Sequence, residues 1–153
     1  NTSTGAGGGL VMYGTTTSLT NCTVSGNTSS TNGGGFDVPS GTLNLTNCTV
    51  ASNTASDGGG MNLSGSTHVF KNTIVASNIA TSTGNDNISG TISSTSTYNL
   101  IGNGGTGGLT NGTNGNQVNV SNPLLGALAS IDPDALSPRE ALEALYELKR
   151  LSA

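Results

Sequence analysis

Over the first 80 residues the apolar side chains come in short alternating or paired runs, as at Leu43 and Leu45 or Ile74 and Val75, each closed by Gly, Ser or Asn. No apolar set returns every 3.6 residues. The pattern therefore predicts very short β-strands separated by turns. Those strands belong to a repeat. Gly7-Gly8-Gly9-Leu10, Gly33-Gly34-Gly35-Phe36 and Gly58-Gly59-Gly60-Met61 open successive units, and Leu19-Thr20-Asn21-Cys22-Thr23-Val24 returns as Leu45-Thr46-Asn47-Cys48-Thr49-Val50. Phe70-Lys71-Asn72-Thr73-Ile74-Val75 is a looser third copy.

A period near 25 residues, poor in helix formers, is too short for a propeller blade and wrong for a helical repeat, but it suits one lap of a parallel β-solenoid. Equivalent residues then stack about 4.8 Å apart. Leu19, Leu45 and Phe70 form one expected internal column, and Val24, Val50 and Val75 form another. Asn27, Asn53 and Asn78 form an amide ladder, and Asn21, Asn47 and Asn72 a second one. Such amides hydrogen-bond from lap to lap and satisfy polar groups at the bends. The glycine triplets are expected to supply corners with positive φ. Cys22 and Cys48 share a column with Thr73. Side chains of in-register parallel strands point the same way, which is awkward for a disulfide torsion, so stacked thiols are expected over a bridge.

Beyond Asn78 the repeat loosens. Ile88, Ile92, Tyr98 to Ile101 and Val118 to Val120 still resemble short strands, while residues 102–116 read as a lateral loop or an irregular lap. About five laps fit in residues 1–128.

Composition follows from this architecture. Gly, Thr, Ser and Asn make up more than half of the 153 residues, with 24 glycines, no Trp and only 8% charged residues. A stacked backbone needs few large side chains. Net charge is −4, and Lys71 is the one basic residue before position 129, so a surface that releases counterions from phosphates is absent there and nucleic-acid binding is not expected. No apolar run is long enough to span a bilayer as a helix.

Catalytic and cofactor chemistry has little support in this sequence. Gly102 to Gly107 fits a G-x-G-x-x-G string, but no helical pattern or acidic partner follows, so it reads as a loop. His68 is the only histidine, too little for a histidine metal cluster or a supported triad, and is expected at the surface or an edge. Asp37 aligns with Val11 and Asn62, and Asp57 with Asn32, so the acids fall in separate columns and no converging pair is expected. No cofactor or metal is expected.

The paired glycine openings, the Leu-Thr-Asn-Cys-Thr-Val strings and Tyr98-Asn99-Leu100-Ile101-Gly102 with Ser121-Asn122-Pro123-Leu124-Leu125-Gly126 resemble the right-handed parallel β-helix repeats of polymorphic outer-membrane proteins and autotransporter-like passengers. The resemblance covers about residues 1–128. It implies an all-β, right-handed parallel β-helix of a bacterial surface or secreted protein, structural or adhesive, with catalytic relatives a minority.

Residues 129–153 change character. They hold eight of the twelve charged residues, and Ser137-Pro138-Arg139-Glu140 has the form of a capping box with Pro at the first helical position. Ala141, Ala144, Leu145, Leu148 and Leu151 make an apolar stripe, with Leu142 and Tyr146 at its margin, on a helix too short to be stable uncovered. From Ile131 to Leu151 the sequence resembles the extreme C-terminus of MutS mismatch-repair proteins, a helical segment of dimer-to-tetramer association. That resemblance implies intersubunit ion pairs at Asp134 and Arg139, apolar contacts through Leu142, Leu145, Tyr146 and Leu148, and a chimera of two families. The rest of MutS is not seen in this sequence, so repair activity is not implied. The bland alternative is a helix that folds back to cap the last lap.

The expected function is thus a non-catalytic structural or adhesive module, extracellular or at the cell surface, that self-associates through its C-terminal helix. The alternatives are a carbohydrate-active β-helix whose partner is a cell-surface polysaccharide, and a filament subunit stacking lap on lap.

Overall fold

The computed structural model describes residues 1–64 and 67–121. Lap one carries β1 (Thr2–Ser3), β2 (Leu10–Val11), β3 (Thr15–Thr20) and β4 (Thr23–Ser25). Lap two repeats them as β5 (Thr28–Ser29), β6 (Phe36–Val38), β7 (Gly41–Thr46) and β8 (Thr49–Ala51), and lap three as β9 (Thr54–Ala55), β10 (Met61–Leu63), β11 (Val69–Lys71) and β12 (Ile74–Ala76). Lap four keeps β13 (Ile79–Ala80), β14 (Ile88–Ser89) and β15 (Leu100–Gly102), and β16 (Gln117–Val120) adds a last layer. Every pairing is parallel and joins neighbouring laps. The protein is a parallel β-solenoid of four laps, with a shortened fifth that reaches β15 through β16.

Register confirms the expected columns. Leu19 pairs with Leu45 and Leu45 with Phe70, while Val24, Val50 and Val75 stack and are continued by Ile101. Phe36, Leu43, Val50, Phe70, Val75 and Ile101 are completely buried. Strand alternation puts one residue in and the next out, so Leu43 and Leu45 enter the core while Thr42 and Thr46 stay partly exposed.

Only part of the glycine expectation holds. The first glycine of each triplet does turn a left-handed corner, with φ of 64° at Gly7, 62° at Gly33 and 58° at Gly58. The second and third do not. They lack a side chain because the next lap passes too close: a Cβ on Gly34 would lie 2.2 Å from the Gly59 carbonyl oxygen, and one on Gly35 2.7 Å from that of Gly60. Close packing of backbone on backbone is the constraint there.

Residues 102–116, expected as a loop or irregular lap, form the shortened lap. Asn87 N–H donates to the Gly104 carbonyl, Ile92 N–H to that of Gly107, and Thr106 bridges to Ile88. The G-x-G-x-x-G string lies in this turn. The described solenoid forms one compact unit, Asn1–Ser121. The expected C-terminal helix and its residues Asp134, Arg139, Leu142, Leu145, Tyr146 and Leu148 lie outside the described residues.

Candidate functional site

Three side-chain columns line the bends of the solenoid. In the first, the Oδ1 of Asn53 accepts both the backbone N–H and the Nδ2 of Asn27, each at 3.0 Å, and Asn78 receives the same pair of bonds from Asn53. The remaining amide protons go to main-chain carbonyls, from Asn53 to Val24 and from Asn78 to Val50, both at 3.0 Å. All three residues are buried. A bend that would strand its backbone groups is thereby satisfied from within.

Two members of this column escaped the sequence reading. Asn1 stands one step before Asn27, since Thr2 pairs with Thr28, and its amino group donates to Asn27 Oδ1 at 3.2 Å. The signal was present in Asn1-Thr2-Ser3, which repeats Asn27-Thr28-Ser29. Asn87 accepts the Asn78 Nδ2 at 3.0 Å although it is only nine residues away. It reaches the ladder from the position of the third triplet glycine, because Asn87 follows Gly60 in the neighbouring lap.

The second column runs Cys22, Cys48, Thr73, Asn99 and Asn116. Cys48 N–H donates to Thr73 Oγ1, Thr73 N–H to Asn99 Oδ1 at 3.0 Å, and Asn99 N–H to Asn116 Oδ1 at 3.0 Å. Both cysteines are free thiols, as expected from their parallel stacking, and both donate to backbone carbonyls: Cys22 to Thr20, and Cys48 to Thr46. Asn99 falls in the short strand expected at Tyr98 to Ile101 and Asn116 at the end of the expected loop; their place in this column is hidden because the fifth lap is 17 residues long and breaks the period.

The third column is external. Asn21, Asn47 and Asn72 all adopt left-handed φ, between 48° and 55°, and hand Nδ2 protons back along the stack, Asn47 to Asn21 at 3.2 Å and Asn72 to Asn47 at 2.9 Å. In lap four this corner is Tyr98, also left-handed at φ 55°. The phenol cannot continue the amide ladder, and its ring stands 71% exposed.

Asp37 and Asp57, expected in separate columns, are both engaged within the solenoid. Asp37 is buried and accepts Asn62 Nδ2 at 2.7 Å across β6 and β10. Asp57 receives Thr83 Oγ1 at 2.6 Å, Asn85 Nδ2 at 3.1 Å and Gly58 N–H at 2.8 Å on one oxygen, and Ser89 Oγ at 2.8 Å on the other. Partial burial pushes this carboxyl up, but the hydrogen bonds from Thr83, Ser89, Asn85 and Gly58 outweigh it and hold its pKa below 3.8. The stabilisation it contributes is present above that value and fades as pH falls through the lower folded value. Asp57 thus pins the turn at Thr83 and Asn85 and the end of β14 in lap four to lap three.

His68 contradicts its surface expectation, being 1% exposed. Its Nδ1 accepts the Leu43 N–H at 3.0 Å, so the ring must be neutral with its proton on Nε2, and burial lowers its pKa from 6.5. An acceptor nitrogen was needed there, and the repeat could not reveal it. Because the unfolded state binds the proton more readily, stability is complete above pH 6.5 and declines as pH falls below it. Urea midpoints should therefore drop between about pH 7 and pH 5, in the range where histidine titrates. That step should vanish in His68→Gln; a flat wild-type profile would contradict it.

Among the described residues no group of three or more His, Cys, Asp or Glu is placed to hold a metal ion. Nor, among them, is any helix long and apolar enough to cross a membrane.

Comparison with known proteins finds a family match at the end of the chain. Residues 118–151 match the family described as the DNA mismatch repair protein MutS C-terminal region. The DNA mismatch repair protein MutS of Rickettsia canadensis (strain McKiel) is 53% identical over 36 residues, which is 24% of this chain and 4% of that relative. No solved structure matches. The match begins inside β16, at Val118, so it overlaps the last layer of the described solenoid.

Proposed function

We propose that the solenoid is a non-catalytic structural or adhesive module, displayed outside a bacterial cell or on its surface, and that the segment after it joins copies together. The observation that carries the first part is the use of the carboxylates. Asp57 accepts four hydrogen bonds and Asp37 is buried against Asn62, so each acts as a cross-link between laps. A hydrolase or lyase needs such groups converging on a substrate. The test is turnover: release of reducing ends or unsaturated products from polygalacturonate, abolished by Asp37→Asn or Asp57→Asn, would replace this reading with the carbohydrate-active one.

Self-association through 131–151 is supported by the match over 118–151 and by the identity to the Rickettsia segment. It also favours a chimera with its junction near Ser121, where the solenoid unit ends. Light scattering on the full chain should give a dimer or larger species. Asp134→Arg or Arg139→Glu should lower the mass to that of a monomer, and an unchanged mass would leave a capping role instead.

A further inference from the structure

We propose that the outer face of the last laps, beside Tyr98, is a binding site for a neutral, hydroxyl-rich sugar chain. This rests on the adhesive reading above and names its ligand class. Tyr98 replaces the Asn of the outer ladder and is held in place from beneath: its N–H donates to the Asn114 carbonyl at 3.0 Å, and its ring lies directly over Gly115. A Cβ on Gly115 would come within 2.4 Å of the ring's Cδ1, so glycine there is what allows the ring to rest on the backbone. Beside the ring is a hollow of about 320 Å³ lined by Asn72, Ile74, Leu100, Gln117 and their neighbours.

The chemistry of the lining selects the occupant. Ile74 and Leu100 sit side by side in register and form an apolar strip next to the phenol. Asn72 ends the outer ladder, because residue 98 has no amide to donate to its Oδ1, and Gln117 stands exposed on β16. Amides at the margin with an aromatic ring and an aliphatic strip between them suit a pyranose, which presents C–H groups on its faces and hydroxyls on its rim. Among the described residues no charged side chain lines the hollow, which argues against an anionic polymer, whose charge would lose hydration without gaining a partner. The size is at the lower end of ligand sites, roughly 300 to 1,000 Å³, as suits a short stretch of a chain passing over an open surface.

The experiment is a titration of the full-length, ¹⁵N-labelled protein with cellohexaose, xylohexaose and, as the charged counterpart, hexagalacturonate. A neutral hexasaccharide should shift the amide signals of Tyr98, Gly115 and Gln117 saturably, and Tyr98→Ala should weaken binding at least tenfold. Tyr98→Trp should retain it. Tyr13→Ala, which removes the exposed tyrosine of lap one, should leave it unchanged, and the fold of each variant is read from the same spectra. Neutral-sugar binding that survives Tyr98→Ala overturns this site while leaving the adhesive reading intact. Preference for hexagalacturonate overturns the ligand class. No binding of any of the three overturns the site, and the adhesive reading is then judged separately by attachment of the protein to whole cells.

Discussion

Asn53→Ala is expected to be among the most destabilising single substitutions in the solenoid. The side chain is fully buried and joins three laps. Its removal leaves the Asn27 backbone N–H and one Asn27 Nδ2 proton without their acceptor, each at about 1 to 3 kcal/mol, so a loss of roughly 2 to 6 kcal/mol is expected. That is a large fraction of the ~5 to 15 kcal/mol that holds a typical domain folded. The control is Asn47→Gly on the exposed ladder, where glycine keeps the left-handed φ of 53° without strain, water replaces the lost amide bonds and the cost should stay below about 1 kcal/mol. Urea denaturation of both variants decides the matter. Equal midpoints would mean that the ladders are ornaments of the repeat and that burial of the amide contributes nothing.

Gly34→Ala is expected to be comparably severe for a different reason. The added methyl would meet three backbone atoms, the Gly59 oxygen at 2.2 Å and the Thr54 nitrogen and oxygen at 2.7 Å, none of which can rotate away. Laps two and three must separate to admit it. Overpacking of a tight core costs about 1 to 3 kcal/mol and more where the neighbour is rigid, so about 3 kcal/mol or above is expected. Gly26→Ser supplies the contrast. Gly26 has φ 64° but open space around its Cβ position, and the equivalent Ser52 and Ser77 hold the same conformation at 55° and 56°. Its cost should be about 1 to 2 kcal/mol, the strain of a left-handed residue. Thermal melts that rank Gly26→Ser as the worse of the two would show that backbone conformation, and not lap spacing, selects these glycines.

Much of the fold was legible because a solenoid makes sequence distance into spatial distance. Leu19, Leu45 and Phe70 share a column for the same reason that they share a position in the repeat, and Asn27, Asn53 and Asn78 follow suit. Where the period broke, so did the reading. Asn99 and Asn116 complete a buried ladder across a lap of 17 residues, and Asn87 enters another from the wrong side of the cross-section. The engaged state of Asp57 was equally hidden, since Thr83 and Asn85 come from the turn between β13 and β14 and Ser89 from β14 itself, and no recurring position brings the three to one carboxylate.

The winding, the contents of the regular columns and the stacking of Cys22 on Cys48 as thiols follow from the linear order of residues, because each depends only on which residues recur one lap apart. Tertiary structure alone decided what the irregular residues do: His68 became a buried acceptor, Asp37 and Asp57 became cross-links, and Tyr98 became an exposed ring resting on Gly115. The roles of Asp57 and Tyr98 depend on contacts at unequal separations, whereas the Asp37–Asn62 and His68–Leu43 contacts each span one lap of 25 residues and depend on which way the side chain turns. A local pattern carries no record of them, since only the closed path of the backbone brings those groups within hydrogen-bonding or van der Waals distance.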